Sequence, residues 1–401
     1  MKKTLLAAAL LAGFAGAASA QSSVTLYGIV DIGLQYQSIS VENASPEIKS
    51  SRFGMTNGTQ SGSRWGLRGT EDLGNGLRAV FVLESGFDSA NGNSAQGSRL
   101  FGRQSTLGLA SNKWGQVDFG RQTNMASKYF AAVDPFGAGF AQANAGSTFT
   151  SANTVRYSNM VLYQTPSISG FNAGVGYSFD TAMTGAYLQN TGTINKAENT
   201  DYPSMNNMRA ITLGLNYSNG PLYLMASYDQ AFGPNNLPQG APASKPKAWL
   251  AGGTYDFKVV KLALAYGQQR GGTYAPQSIF GYNQGYIDVN GVAVDYSGAG
   301  NSSSGIIFDS NIGNNNYLVG LTAPIGGAQK VFASWQMAQP NGSLRDLYNG
   351  NANNMNTYSL GYTYDFSKRT NMYAYVSYVS NWAFVDSAKS TIVGTGLRHR
   401  F

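Results

Sequence analysis

Apolar and polar residues alternate with a period of two along most of this chain. In Ile211-Thr212-Leu213-Gly214-Leu215-Asn216-Tyr217-Ser218 the odd positions are apolar, and in Tyr358 to Phe366 the even positions are. From Val24 to Tyr36, residues Val24, Leu26, Val30, Ile32 and Leu34 share one parity, and Thr25, Asp31 and Gln35 the other. A period of two sends the two sets to opposite faces of a sheet. The breaks between these segments are of two kinds. Short turns fall at residues 71–76, 111–115, 167–170, 218–221, 256–261, 324–329 and 365–370, carrying Gly, Asn, Pro or charge. Between them lie longer polar segments, the third roughly Gln122 to Asn153 and the sixth roughly Gly271 to Asn316. Seven turns and eight loops predict sixteen strands, with both termini on one side. Connections that alternate between short and long are the habit of outer-membrane barrels. A loop of the sixth one's length would be out of place in a compact soluble domain.

After the first residues, no stretch is long and apolar enough for a spanning helix. A membrane role must come from strands, and only a closed sheet leaves no backbone amide unpaired in hydrocarbon. The expectation is an all-β, sixteen-stranded antiparallel transmembrane barrel with apolar residues toward lipid and polar ones lining the lumen. Tyr217, Tyr223, Tyr255, Tyr364, Phe366, Trp114 and Trp382 sit near strand ends, where a ring can lie at headgroup level. A soluble sandwich needs polar outer faces, the opposite of this pattern.

The amino terminus fits that placement. Lys2 and Lys3 precede an apolar run from Leu5 to Ala17, and Ala18-Ser19-Ala20 reads as a cleavage site before Gln21. Residues 1–20 are expected to be a signal peptide and residues 21–401 one barrel. No lipobox cysteine follows, and the chain has no cysteine at all, so disulfides and thiolate chemistry are excluded. Removing the two leader lysines from the +7 total leaves +5. That mild balance by itself excludes neither nucleic acid nor membrane; a barrel in the outer membrane has no call for nucleic acid.

The side chains offer little chemistry. His399 is the one histidine, so no His-based triad or His-rich metal site can be built. Glu71-Asp72 lies in a turn, and Gly54 to Gly62 reads as loop, not phosphate cradle. No catalytic residue, cofactor or metal is expected, and no enzyme. An outer-membrane lipase or protease would lack its histidine. The arginines are more informative. Trp65 and Leu67 take the apolar parity, which turns Arg64 and Arg68 inward. Val155, Tyr157, Val161 and Tyr163 mark the lipid face of their strand, leaving Arg156 and Ser158 to the lumen. Parity does not place Arg103, but a charge on the lipid face at mid-depth costs roughly 2–4 kcal/mol, which favours inward.

Several stretches, in order and at their spacing, resemble the trimeric general porins of Gram-negative bacteria, nearest the betaproteobacterial and neisserial branch. They are Ser23 to Gly28, Ser63 to Gly76, Gly102-Arg103-Gln104, Asp118-Phe119-Gly120-Arg121-Gln122 and Gly396 to the aromatic terminus Phe401. The resemblance implies a homotrimer with its third loop folded into the lumen. It implies a constriction whose basic wall is Arg64, Arg103 and Arg156, with Arg68 as a further inward base. The constriction loop would carry Lys128, Asp134, Pro135, Phe136 and Gly137, although here the acid precedes the proline. Residues Asp88 to Gly97 resemble the family's latch onto a neighbouring subunit. Phe401 resembles the signal read by the barrel-assembly machinery, and outer-membrane lipid and lipopolysaccharide would surround the barrel. The implied function is passive diffusion of small hydrophilic solutes and ions. The wall charge favours anions, because from Gln122 to Asn153 the only carboxylate is Asp134, offset by Lys128. A substrate-specific channel and a barrel-anchored adhesin are the alternatives.

Overall fold

A computed structural model describes residues 23–42, 48–181, 185–189, 192–196, 207–234, 244–274, 287–289, 292–294, 305–347 and 350–401. The expected leader, residues 1–20, lies outside them. Sixteen antiparallel strands close into one barrel. β1 (Ser23–Val41) is followed by β2 in two segments (Ile48–Asn57 and Arg64–Gly74), β3 (Leu77–Gly86), β4 (Gln104–Ser111), β5 (Gly115–Thr123), β6 (Arg156–Gln164), β7 (Phe171–Ser178) and β8 (Arg209–Asn219). Then come β9 (Leu222–Phe232), β10 (Lys247–Asp256), β11 (Lys261–Tyr274), β12 (Ile306–Pro324), β13 (Gln329–Pro340), β14 (Met355–Asp365), β15 (Thr370–Ser380) and β16 (Ala388–Arg400). β16 returns to β1 in a ladder from Ile29↔Arg400 to Val41↔Ala388. Phe401 completes the seam: its N–H donates to the Gly28 carbonyl and its carbonyl accepts from the Gly28 N–H, both at 3.1 Å.

The short turns fall where the alternation broke, all at the end that carries both termini. The sixth loop is shorter than expected, because β11 runs on to Tyr274 and β12 begins at Ile306. Asn314, Asn315 and Asn316 read as loop by polarity, yet they pair with Gln269, Gln268 and Gly267 in the ladder. A strand that continues above the apolar band has no need of apolar residues.

β2 is interrupted where glycines cluster. Its first segment pairs with β1 down to Ile32↔Asn57 and its second resumes at Ile29↔Arg64, so Gly58 to Ser63 stand opposite only Val30 and Asp31. The surplus chain bulges out of register, with Gly58 at φ +63°. Gly54, expected in a loop, is paired with Gln35 inside the strand. The bulge is tied down by Asp31, whose Oδ2 accepts from the Ser61 N–H at 2.7 Å.

Parity sorts the two faces. Val24, Leu26, Leu34, Tyr36, Leu213, Leu215 and Leu360 are exposed on the outside, while Asp31, Gln35, Thr212, Asn216 and Asp229 are buried within. An exposed apolar surface this extensive calls for an apolar solvent. At the short-turn end, aromatic rings pair along the rim: Phe171 with Tyr217 at 4.4 Å, Tyr255 with Phe257 at 4.6 Å, Tyr364 with Phe366 at 5.2 Å. Two rings expected in such a girdle are elsewhere. Tyr223 takes the inward parity and donates to the Tyr129 carbonyl at 3.0 Å. Trp382 packs on a loop cluster with Leu344, Met355 and Phe384.

The third loop turns into the barrel. It starts with a short helix, α1 (Met125–Phe130), capped by Asn124, whose side chain accepts from the Ser127 N–H. Asn124 also donates to Asp229 at 2.8 Å, and the Met125 N–H donates to Thr212 at 2.8 Å. The inward-facing wall beside α1 is built from small residues, including Gly174, Gly214, Ala248, Ala263 and Ala265. A Cβ at Gly174 would sit 2.5 Å from Met125. Space on the wall and apolar residues on the loop therefore match. Farther along, Phe136 and Phe140 pack among Phe332, Tyr373 and Tyr375, across the lumen from where the loop began. Each buried ring contributes about 1.5–3 kcal/mol to holding the loop inside. The Phe140 N–H donates to the Thr59 carbonyl, so the bulge in β2 is the loop's second anchor.

Candidate functional site

Five neighbouring strands bring charge together near the base of the third loop. Arg64 opens the second segment of β2, Glu84 lies on β3, Arg103 immediately precedes β4, Arg121 is on β5 and Arg156 opens β6. Arg103 donates from Nε to Glu84 Oε1 at 2.7 Å, and an Arg64 terminal nitrogen stands 3.8 Å from the same oxygen. The other carboxylate oxygen accepts from the Tyr27 hydroxyl at 2.9 Å. Arg64 Nε donates to the Gly62 carbonyl at 2.8 Å, and a Cβ at Gly62 would lie 2.9 Å from Arg103 Nη1. The β2 bulge thus passes directly against the arginine pair, and only glycine fits there without displacing it.

Arg156 is buried, with one bond from Nη1 to the Thr154 carbonyl at 3.2 Å, and its Nε has no partner among the described residues. Arg103, Arg121 and Arg64 stand close enough for their like charges to act on it, and the Glu84 carboxylate opposes them. The strand around it departs from simple alternation. Between Gly120 and Gln122 the β5–β6 register shifts, and Asn159 adopts φ +47°. Above this bulge the alternation of β6 is lost, and Val155, Arg156 and Tyr157 are buried in succession. Tyr157, expected on the lipid face, is instead fully buried beside Asp229 and Tyr274, and Val155 is buried as well.

The same bulge accounts for Arg121, which parity alone groups with the exposed Phe119. It is buried, donating to the Gly102 carbonyl at 2.8 Å and to Ser158 at 2.9 Å. The signal was Gly120 within an otherwise regular strand, with φ +120°. Arg68 stands apart from the cluster. It is exposed, four residues nearer the short turns than Arg64, with its guanidinium 5.3 Å from the Tyr27 ring centroid.

The third loop contributes little charge. Lys128 donates to Gln164 at 3.1 Å, and burial lowers its pKa, with nearby Asp118 opposing. Asp134 is turned into the loop. Its carboxylate accepts from the N–H groups of Phe136 and Ala138 at 2.9 Å each and Ala145 at 3.1 Å. Burial pushes its pKa up to about 6 against those three bonds. Pro135 seats against Gly320, where a Cβ would be 2.3 Å from the ring; Phe136 is in the aromatic cluster, and Gly137 is exposed at φ +58°. Apart from Lys128, itself half-buried, the loop's more open positions Ala131, Ala132, Gly137, Ala138 and Gly139 carry no charge.

Comparison with known proteins agrees with this architecture. A family model described as Gram-negative porin matches residues 7–383. An outer membrane porin protein of Bordetella pertussis is 54% identical over the whole of both chains. Outer membrane porin protein 32 of Delftia acidovorans is 32% identical, covering 95% of this chain and 90% of that one. Among solved structures, an anion-selective porin from Comamonas acidovorans superposes with a TM-score of 0.66 and 26% identity, over 95% of this chain and all of that one.

Proposed function

This chain belongs to the Gram-negative porin family, and on that footing we propose that its outer-membrane channel prefers small anions and that the arginine cluster sets the preference. As a general diffusion porin it holds a water-filled lumen through which small hydrophilic solutes and ions pass. No bond is made or broken, so mechanism here is electrostatics in a narrow wet passage. Arg64, Arg103 and Arg156 form the basic wall of the constriction, with Arg121 added and Arg68 one step nearer the periplasmic mouth. Lys128, Asp134, Pro135, Phe136 and Gly137 belong to the loop that narrows it.

The observation that carries the proposal is the ratio of charges. Arg64 and Arg103 meet a single carboxylate, Glu84, the like charge of Arg156 stands beside them, and a buried nitrogen of Arg156 has no acceptor among the described residues. Asp134 is occupied by backbone donors. A positive surplus between low-dielectric walls focuses the field and raises the local concentration of anions. Screening limits its reach to about 8 Å at physiological salt. The similar protein from Comamonas acidovorans, an anion-selective porin by name, supports this sign.

The protomers assemble as a homotrimer in this reading. An apolar hollow of about 490 Å³ on the outer wall, lined by Leu34, Tyr36, Phe53, Leu360, Val376 and Val393, gives a second copy a seat across the first and last strands. Outer-membrane lipid and lipopolysaccharide cover the rest, and the barrel-assembly machinery reads the terminal strand at Phe401. The zero-current potential across a KCl gradient tests the selectivity. The intact protein should show the anion sign, and an Arg64→Gln, Arg103→Gln, Arg156→Gln variant should lose most of it. A cation sign in the intact protein, or an unchanged potential in the variant, overturns the reading.

A further inference from the structure

Below the third loop, at the short-turn mouth, lies a second basic chamber of about 410 Å³. Lys261, Lys330, Lys368, Arg369, Arg398 and Arg400 line it. The four on strands face inward by register. Arg398 pairs across from Asp31 and Arg400 from Ile29, on the lumen parity of β1. Lys261 is opposite Thr322, and Thr322 is opposite Phe332, which packs on the third loop, so Lys330, two residues from Phe332, shares that face. The loop tip, Pro135 and Phe136, closes its inner end.

Six cations outnumber the acids near them: Asp31 and Asp365 act on Arg398 through space, and Asp256 stands opposite Lys261. Among the described residues no ion pair joins any of the six to a carboxylate. Asp365 and Asp134 are the only acids in the lining, and both Asp134 oxygens are taken by backbone N–H groups. Arg398 is held rigidly, donating from Nε to Asn371 and from Nη1 to Ser61, each at 2.9 Å. Gathering like charges in a confined space is unfavourable unless an anion offsets them. The volume falls within the range of small-molecule sites, and hydroxyl and amide groups of Thr322, Thr363 and Asn371 share the lining. Arg398 is also near enough to Arg64 for its charge to act there, so the chamber follows the arginine wall in series.

The geometry points to a binding station for a small dianion, of the phosphate or short dicarboxylate kind, in this periplasmic chamber. A solute that clears the arginine wall is held by Lys261, Lys330, Arg398 and Arg400 before release. The station deepens the anion-preference reading and rests on it for direction of transport, but not for affinity.

Inorganic phosphate is the probe, titrated from either side of a planar bilayer holding the full-length protein in dilute KCl. Phosphate should reduce the chloride current saturably, at lower concentration from the short-turn side. Lys330→Gln with Arg400→Gln should raise the half-blocking concentration about tenfold, roughly threefold for each exposed charge removed. Lys261→Gln with Lys330→Gln leaves the terminal strand intact and should do the same, while Lys330→Arg should keep the block. An unchanged half-blocking concentration in the Lys261, Lys330 pair overturns the station, and so does a block abolished by substitutions in the Arg64 wall alone. A cation sign in the KCl gradient with phosphate block intact would instead overturn the anion-preference reading and leave the station standing.

Discussion

Arg103 and Glu84 meet at 2.7 Å, and this contact ties the residue just before β4 to its neighbour strand β3. Glu84 is reached by Arg64 and Tyr27 as well, so one carboxylate orients three neighbours from β1, β2 and the start of β4. It also offsets one unit of the arginines' positive charge. The two roles have opposite consequences for conduction.

Glu84→Gln should therefore strengthen anion preference. A unit charge about 7 Å from the ion path in water is worth about 0.6 kcal/mol, with opposite sign for anion and cation, so the anion-to-cation permeability ratio should rise roughly sevenfold at low salt. Zero-current potentials measure it, and the gain should shrink as salt rises.

Arg68→Gln should change selectivity less than Arg103→Gln. Arg68 is exposed and stacked on Tyr27, outside the group sharing Glu84, and water screens it. Paired single variants in the same bilayer system would rank them; an equal or larger effect at Arg68 would move the narrow point toward the short turns.

Anion preference should increase as pH falls through about 6. Burial raises the Asp134 carboxyl to about 6, so it takes up a proton there while the arginines stay charged, and a negative charge beside the lumen disappears. The sign for stability is the same. A carboxyl raised above its unfolded value makes the folded state bind more protons, so its penalty is present above about pH 6 and is relieved as pH falls toward the ordinary range near 4. Asp134→Asn should flatten the pH dependence of the zero-current potential.

Phe140→Ala should loosen the third loop without unfolding the barrel. The ring contacts Phe136, Phe332, Tyr373 and Tyr375 at once, and truncating a buried phenylalanine costs about 3–5 kcal/mol. Single-channel records should show larger and noisier conductance, with the heat-modifiable mobility of the barrel on gels retained.

Deleting Phe401 should lower the amount of assembled barrel, and Gly28→Val should do so more mildly. Phe401 exchanges two backbone bonds with Gly28, and its ring lies where a Cβ at Gly28 would be 2.3 Å away. Outer-membrane levels and the fraction running as trimer on native gels report both; wild-type levels of the truncated chain would separate the terminal ring from assembly.

Alternation by itself determined the barrel, its strand number, the side on which the termini lie and the inward direction of Arg64. Each follows from a period of two acting in a sheet with lipid on one face, which needs no knowledge of distant contacts. What the alternation could not reach were the places where the ladder slips. The surplus residues Gly58 to Ser63 and the shift at Gly120 are local changes of register, and a slip of one residue sends every following side chain to the other face. Tyr157 was misplaced and Arg121 overlooked for that one reason. The third loop's position was likewise a tertiary decision. Its apolar residues are visible in the chain, but the space that receives them is made by Gly174, Gly214, Ala248 and Ala263 on strands far away in sequence, and only closure of the barrel sets them face to face.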